Sequence, residues 1–433
     1  MSNCIAEQPS KEPNQSLWAA TAVAAPYYTP LNQTCRAQVA IVGAGYTGLS
    51  AALHLGEAGR DVVIIDAESP GWGASGRNGG QVIPGLKYDP ETLKTLFPGA
   101  QGSRLVEAIG SAPDLVFSLI ERHRIACHAL RAGWLQLAPS AETLAALAIR
   151  AAQWRAEGAS TRLLDQTETA RRTGSSLYVG ALFEPRGGTL HPLSYARGLA
   201  AAAQKAGVHL FGKTPATGLR RTGKTWQVET PNGVIDAETV ILATNACADE
   251  LHPSLRRSVV AIPSFQIATE KLPDAVLASI LPGRESASDM RRLLRYFRIH
   301  DGRLLMGARG SFAEGAPPAL LARMRAAIAE IFPQAAEART EYAWGGMVAV
   351  TQDHLPHLHE PEPGLLAGLG YNGRGVAMAT LMGQVLADRA QGMEAEALKF
   401  PLTPLRPIKL HRFSRLGARA TIAYLRLRDR LSG

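Results

Sequence analysis

Cysteine is scarce in this chain, with four in 433 residues at positions 4, 35, 127 and 247, and no two stand at CxxC or another ligand spacing. That excludes a disulfide-dense scaffold and a cysteine-rich zinc site, and it points to reduced thiols in a cytoplasm. No apolar run approaches the roughly 20 residues that a membrane-spanning helix needs. "SLWAATAVAA" near the start lacks the basic region of an export signal, so residues 1–36 read as an ordered arm packed on the surface. There is no internal repeat and no low-complexity tract. Acidic residues are outnumbered 37 to 46, and much of the excess lies at the end, where eight Lys/Arg between 406 and 430 face one acid, Asp429. Such a tail can meet nucleic acid or anionic lipid. Leu416, Ile422, Leu425 and Leu427 interrupt the charge, and no nucleic-acid motif accompanies it. The expected form is a solvated helix over 406–433 with one docked face, no nucleic-acid partner and membrane contact as a minor alternative. What remains is ordinary globular composition, 46% hydrophobic and 19% charged, at a length that suits two or three domains.

Residues 38–65 read as strand, turn, helix, strand. "QVAIVGAG" is a short buried-type strand ending in glycines, "YTGLSAALHLGEAGR" is a helix stopped at Gly59, and "DVVIID" is the next strand. Within this unit stands Gly43-x-Gly45-x-x-Gly48. The first glycine permits a sharp turn, the second a close approach to a pyrophosphate, and the third tight helix–strand packing. Asp66 ends the second strand, where a carboxylate suits a ribose hydroxyl. A P-loop is excluded because no GKS or GKT follows. Further parallel-type pieces fall at 208–211, 240–244 and 365–369, with antiparallel-type strands between them. Asp301-Gly302 supplies hairpin chemistry inside "RYFRIHDGRLLMGAR". The expected fold is α/β joined to α+β, a Rossmann-type dinucleotide domain interleaved with an antiparallel-sheet domain. Segments 37–95, 185–255 and 341–405 form the first, and 96–184 and 256–340 form the second.

A second loop, "GWGASGRNGGQ", is more than a nicotinamide site needs. Gly73 to Gly76 leave room for a flat ring, Arg77 and Asn78 offer charge and hydrogen bonds, and Gly79 and Gly80 permit close backbone contact.

Together these stretches resemble the FAD-dependent amine and D-amino acid oxidase superfamily, with its glutathione reductase-like FAD domain. Within it they are similar to gamma-glutamylputrescine oxidoreductases and their relatives. The likeness continues through "GGTLHPLSYARGLAAAAQKAG", "ILATNA", "WGGMVAVTQDHLPHL" and "GLGYNGRGVAMATLMGQVLAD", covering most of the chain. It implies FAD, with Gly43, Gly45, Tyr46, Thr47 and Gly48 around the pyrophosphate, and Asp66 and Ala67 at the adenosine ribose. It also implies Ser75, Arg77, Asn78, Gly79 and Gly80 along the pyrophosphate and flavin, and Ala216 at the adenine. Gly370, Asn372, Gly373 and Gly375 open the helix expected at the flavin's far edge, where a positive helix end would favour its reduction. Covalent attachment in relatives calls for a histidine at Arg77 or a cysteine near Gly346. Neither is present, which implies non-covalent FAD.

The resemblance further implies oxidation of an amine or amino acid C–N bond by hydride transfer to flavin N5, with O2 or an electron carrier as acceptor. Such chemistry needs orientation more than a side-chain base, and no Ser-His-Asp or Cys-His arrangement stands out. Arg298 reads either as a carboxylate anchor or as a strand arginine facing water. Tyr371, Arg374 and Arg309 are further substrate-side candidates, and Lys271 a minor candidate for assisting oxygen. "DHLPHLHE" gathers Asp353, His354, His357 and His359, but Pro356 breaks the helical face that ligation would use, so no metal is expected. A dehydrogenase feeding a quinone, or a flavin-binding partner with little turnover, are the competing readings.

Overall fold

The computed structural model describes residues 16–25, 27–247, 251–291, 294–309, 317–414, 416, 417, 420 and 421. Its first sheet is built on five parallel strands. Cys35–Val42 lies between Val62–Ile65 and Gly233–Leu242, with His209–Phe211 outside the former and Leu365–Leu369 outside the latter. The parallel pieces expected from the sequence are these strands. Every residue of Val62–Ile65 and Leu365–Leu369 is buried, as parallel strands covered on both faces require. His357–Glu362 and the hairpin of Gly218–Thr222 with Thr225–Thr230 extend the sheet in antiparallel fashion.

One face of this sheet is packed by the helices Tyr46–Glu57, Pro192–Lys205 and Gly375–Ala390, which share a core with Val39, Ile41 and Ile64. The helix Ala100–Arg122 joins the same core. Leu105, Ile109, Ala112, Val116 and Leu119 recur at three- and four-residue steps, so they form one apolar stripe.

The second sheet has eight strands, mostly antiparallel, in the order Thr340–Thr351, Val259–Thr269, Arg303–Arg309, Arg295–His300, Ser286–Asp289, Trp134–Ala138, Gly180–Glu184 and Arg162–Leu164. Its side chains alternate between two fates. Phe265, Ile267, Phe297, Ile299 and Met306 enter a core closed by Leu320, Met324 and Ile328 of the helix Pro318–Ile331. Ser264, Gln266, Tyr296 and Arg298, one residue out of phase, turn to the other face, where Ser264 bonds the Tyr296 hydroxyl and the other three meet the glycine-rich loop of residues 71–80. Between Arg295–His300 and Arg303–Arg309 the turn has φ 47° at Asp301 and 72° at Gly302. Two positive φ values are what a two-residue hairpin turn demands, and Asp-Gly supplies them.

Two expectations change. Cys35 and Cys127 are free thiols, whereas Cys247 is disulfide-bonded, because scattered sequence positions do not limit which cysteines the fold brings together. In the tail, Leu410, Phe413 and Leu416 are exposed, so the docked face expected there is not formed by Leu416. Ile422, Leu425 and Leu427 lie outside the described residues. No helix among the described residues is long and apolar enough to cross a membrane.

Candidate active site

Two helix starts converge at the carboxyl ends of the parallel strands. Tyr46–Glu57 begins after Gly45 and Gly375–Ala390 after Arg374, and neither cap residue closes its helix with a side-chain hydrogen bond. Neither first turn holds an acid. Each start therefore offers backbone N–H groups and a positive dipole end without an internal anion. The two are joined by a 2.5 Å hydrogen bond between Thr47 Oγ1 and the Tyr371 hydroxyl, both residues being buried. Gly43 turns the chain at φ 107°. A Cβ on Gly48 would stand 1.9 Å from the Gly43 carbonyl oxygen, so only glycine allows this helix to leave this strand.

Asp66 closes the other side of the turn. Its two carboxylate oxygens accept the N–H groups of Ala44 at 2.7 Å and Glu68 at 2.8 Å. Burial raises its pKa, and those two backbone donors work against the rise. Ala67 follows it, half-buried. Ala216 lies on the far side of the same sheet, packed against the core of Val63 and Ile65.

The glycine-rich loop lies across the first helix start. Ser75 Oγ accepts the Tyr46 N–H at 3.0 Å, and a Cβ on Gly45 would reach within 3.0 Å of the same oxygen. Asn78 Nδ2 donates to the Tyr46 hydroxyl at 3.2 Å and to Ser75 O at 2.8 Å. Arg77 is buried, with Nε on Trp72 O at 2.8 Å and its guanidinium over the Trp72 ring, and burial pushes its pKa down to about 10. Gly79 faces the Tyr296 ring, 3.1 Å from where its Cβ would be. Around the second start, Gly370, Asn372 and Gly373 have φ of 79°, 52° and 90°. Asn372 stabilises that loop by accepting the Thr351 N–H and donating to Gly370 O.

The arginines fall in different surroundings. Arg298 is 2% exposed, and its Nη1 donates to Gly80 O at 2.9 Å, Leu190 O at 2.7 Å and Gly79 O at 3.3 Å. It is not the water-facing strand arginine of the second reading: Nη1 is spent on backbone carbonyls and Nη2 on His300 Nδ1 at 3.1 Å. Arg374 donates to Pro84 O at 2.8 Å and lies 5.4 Å from the Trp134 ring centroid, facing the second sheet. Burial and the neighbouring Arg150 lower its pKa to about 9. Arg309 ends its strand opposite Ser264, and its side chain is outside the described residues. Lys271 is exposed and pairs with Asp301 at the hairpin turn, away from both helix starts. Of the histidine-rich segment, His357 pairs with Asp353 at 3.0 Å and His359 Nδ1 bonds Thr403 O. No group of three or more metal-ligating side chains occurs among the described residues.

Residues 38–389 match the family model described as "FAD dependent oxidoreductase", DAO. The chain belongs to the DAO family of FAD-dependent oxidoreductases. It is 31% identical to the gamma-glutamylputrescine oxidoreductase of Escherichia coli K12, over 97% of this chain and 99% of that protein. It is 32% identical to the probable oxidoreductase OrdL of Haemophilus influenzae, over 86% and 88%. The crystal structure of glycine oxidase from Geobacillus kaustophilus superposes with a TM-score of 0.71 at 25% identity, covering 86% of this chain and all of that one.

The residues present fit the cofactor of the DAO family. The test is the cradle itself, with two helix starts whose cap residues make no side-chain hydrogen bond, a turn in which a Cβ on Gly43 or Gly48 would strike backbone, and a loop in which a Cβ on Gly80 would do the same. Several side chains that shape this site escaped the sequence reading. Trp18, Gln266, Tyr296 and Trp344 come from distant segments, and only the in–out alternation of the second sheet gave a signal for Gln266 and Tyr296.

Proposed function

We propose that this DAO-family enzyme oxidises the C–N bond of an amine or amino acid, giving an imine that water converts to an aldehyde or keto acid. The observation that carries the reading is the convergence of the two uncapped helix starts beneath a glycine loop pressed on the second sheet. The names of the relatives, gamma-glutamylputrescine oxidoreductase and glycine oxidase, support a nitrogen-bearing substrate. When bound, FAD supplies the hydride acceptor at its N5.

The chain's own residues do the rest. Gly43, Gly45, Tyr46, Thr47 and Gly48 form the turn that receives the pyrophosphate at the positive end of the helix. Asp66 and Ala67 meet the ribose, and Ala216 the adenine. Ser75 and Arg77 to Gly80 run along the pyrophosphate and flavin, and Gly370 to Gly375 bring the second positive helix end to the ring. Attachment is non-covalent, since Arg77 stands where a histidine link would form and no cysteine lies near Gly346. Arg374, which faces the second sheet, is the substrate-side cation we favour, and Tyr371 fixes the loop that carries it. The proposed domain division stays interleaved, with 37–95, 185–255 and 341–405 on the FAD side and 96–184 and 256–340 on the substrate side; across it the helix Ala100–Arg122 packs in the first sheet's core and the strand Thr340–Thr351 pairs in the second sheet. The enzyme we propose is cytoplasmic with O2 as acceptor, although the Cys247 disulfide speaks against the first of these; a fractionation blot and peroxide formation in air check the two points.

The test is an anaerobic screen of amines and amino acids against the holoenzyme. Bleaching of the flavin band by such a compound, faster at higher pH as the amine loses its proton, is the expected result. A flavin that no member of either class bleaches rejects the reading.

A further inference from the structure

Four consecutive carbonyls of the glycine-rich loop are each held by donors from outside it. Arg77 O accepts from Gln266 Nε2 at 2.7 Å and Trp344 Nε1 at 3.0 Å. Asn78 O accepts from Trp18 Nε1 at 2.8 Å. Arg298 Nη1 serves Gly79 O and Gly80 O, and the Leu190 N–H adds a 2.8 Å bond to Gly80 O. Most of these donors belong to the second sheet, but Trp18 belongs to the short helix Leu17–Thr21, far from the cofactor fold in sequence.

That helix is itself firmly fixed. Ser16 Oγ accepts the Ala19 N–H, and the Thr21 hydroxyl donates to Leu17 O. His191 Nδ1 accepts the Ser194 N–H, which leaves the proton on Nε2 to bond Thr21 Oγ1 at 3.1 Å. Leu17 and Trp18 are fully buried. The Trp18 ring packs edge-on against His191, His300 and Trp344, with the Arg298 guanidinium 5.6 Å from its centroid.

We infer that the N-terminal segment 16–21 is a positioning element of the FAD site, with Trp18 fixing the loop through the carbonyl of Asn78. The connection is short. The backbone of Asn78 is held by Trp18 from behind, and its side chain holds Tyr46 and Ser75, the pair at the first helix start. A buried carbonyl deprived of its donor recovers a partner only by moving toward water, which carries Asn78 and Ser75 away from that start. The inference rests on the assignment of this loop to FAD.

The experiment compares wild-type protein with Trp18→Phe, which keeps a buried aromatic ring and removes only the N–H, and with Trp18→Ala. Each is stripped of flavin and titrated with FAD, and the visible circular dichroism of the reloaded protein is recorded. Trp18→Phe is expected to weaken FAD about tenfold and to change the flavin's dichroic bands, with Trp18→Ala larger in both. An FAD affinity and flavin spectrum equal to wild type in Trp18→Phe overturns the inference and leaves Trp18 a core residue, whatever the melting temperature does. Failure of the wild-type apoprotein itself to take up FAD would instead strike the loop's assignment.

Discussion

The turn at Gly43–Gly48 and the loop at Arg77–Gly80 are both glycine-rich and both line the same site, yet they are shaped from different distances. The turn is fixed largely within its own strand–helix–strand unit, through the Gly43 N–H on Ile65 O and the Ala44 N–H on Asp66, 22 residues away, with Thr47 on Tyr371 its one long-range tie among the hydrogen bonds named above. The loop is fixed by partners 60, 189, 219 and 267 residues away, at Trp18, Gln266, Arg298 and Trp344. A locally determined turn is read by a motif, whereas a loop shaped by the rest of the molecule is visible only in part.

The largest expected effect tests the local half. Gly48→Ala places a methyl 1.9 Å from the Gly43 carbonyl oxygen, and both groups are backbone-bound. A cost of about 3 kcal/mol or more is expected in urea unfolding of the apoprotein, with FAD lost from the purified protein. Gly373→Ala is the control. Its Cβ meets open space and only φ 90° opposes it, so roughly 1–2 kcal/mol is expected. Equal costs at the two positions would mean that the close packing at Gly48 is not what fixes the turn.

Arg298→Ala tests the distant half. It leaves the buried Leu190 O and the half-buried Gly79 O without their guanidinium donor, a loss of about 2 kcal/mol. FAD affinity is expected to fall while the KM of a carboxylate-bearing substrate changes little. A raised KM with unchanged FAD binding returns Arg298 to the role of carboxylate anchor.

This contrast explains how much was legible. The Rossmann-type order, the parallel strands and the Asp301-Gly302 hairpin follow from nearest-neighbour chemistry, and they stand where the sequence puts them. The surroundings of Arg298 do not follow from "RYFRIHDGR". Its partners Gly79, Gly80 and Leu190 come from two other segments, and an isolated arginine on a strand carries no mark of whether it meets a ligand or backbone. Trp18 was read only as part of a surface arm, because a five-residue helix gives too short a period to show which face is buried.

A smaller effect probes the link between the two helix starts. Tyr371→Phe removes the hydroxyl from its 2.5 Å contact with Thr47 Oγ1, and Thr47→Val removes the other end. Each single change is expected to cost about 1 kcal/mol or somewhat more. The double variant should cost less than the sum, giving a coupling of roughly 0.5–1 kcal/mol in a cycle of urea unfolding. Strict additivity would mean that the starts are held apart from one another by packing alone.

The least effect at neutral pH comes from the histidines beside Trp18. Burial, reinforced by the Arg298 charge, lowers the pKa of His191 to about 3 and of His300 to about 2, against about 6.5 in an unfolded chain. Between those limits the unfolded chain binds protons that the folded one refuses. Their contribution is therefore complete above about pH 6.5 and declines as the pH falls toward 3. His54 and His359 shift in the same direction, while Asp289, raised to about 6 by burial, acts oppositely below that pH. Comparing wild type with a variant that cannot titrate at position 300 cancels the contributions of these other groups. His300→Gln keeps an oxygen able to accept the Arg298 Nη2 proton but cannot titrate. Urea unfolding at a few pH values between about 5 and 7.5 should show a shallower loss of stability on acidification in this variant than in wild type. An identical slope would place His300 protonated and folded, with the donor end of Arg298 turned away from it, and would loosen the loop-side cluster at the point where the Gly43–Gly48 side has no counterpart.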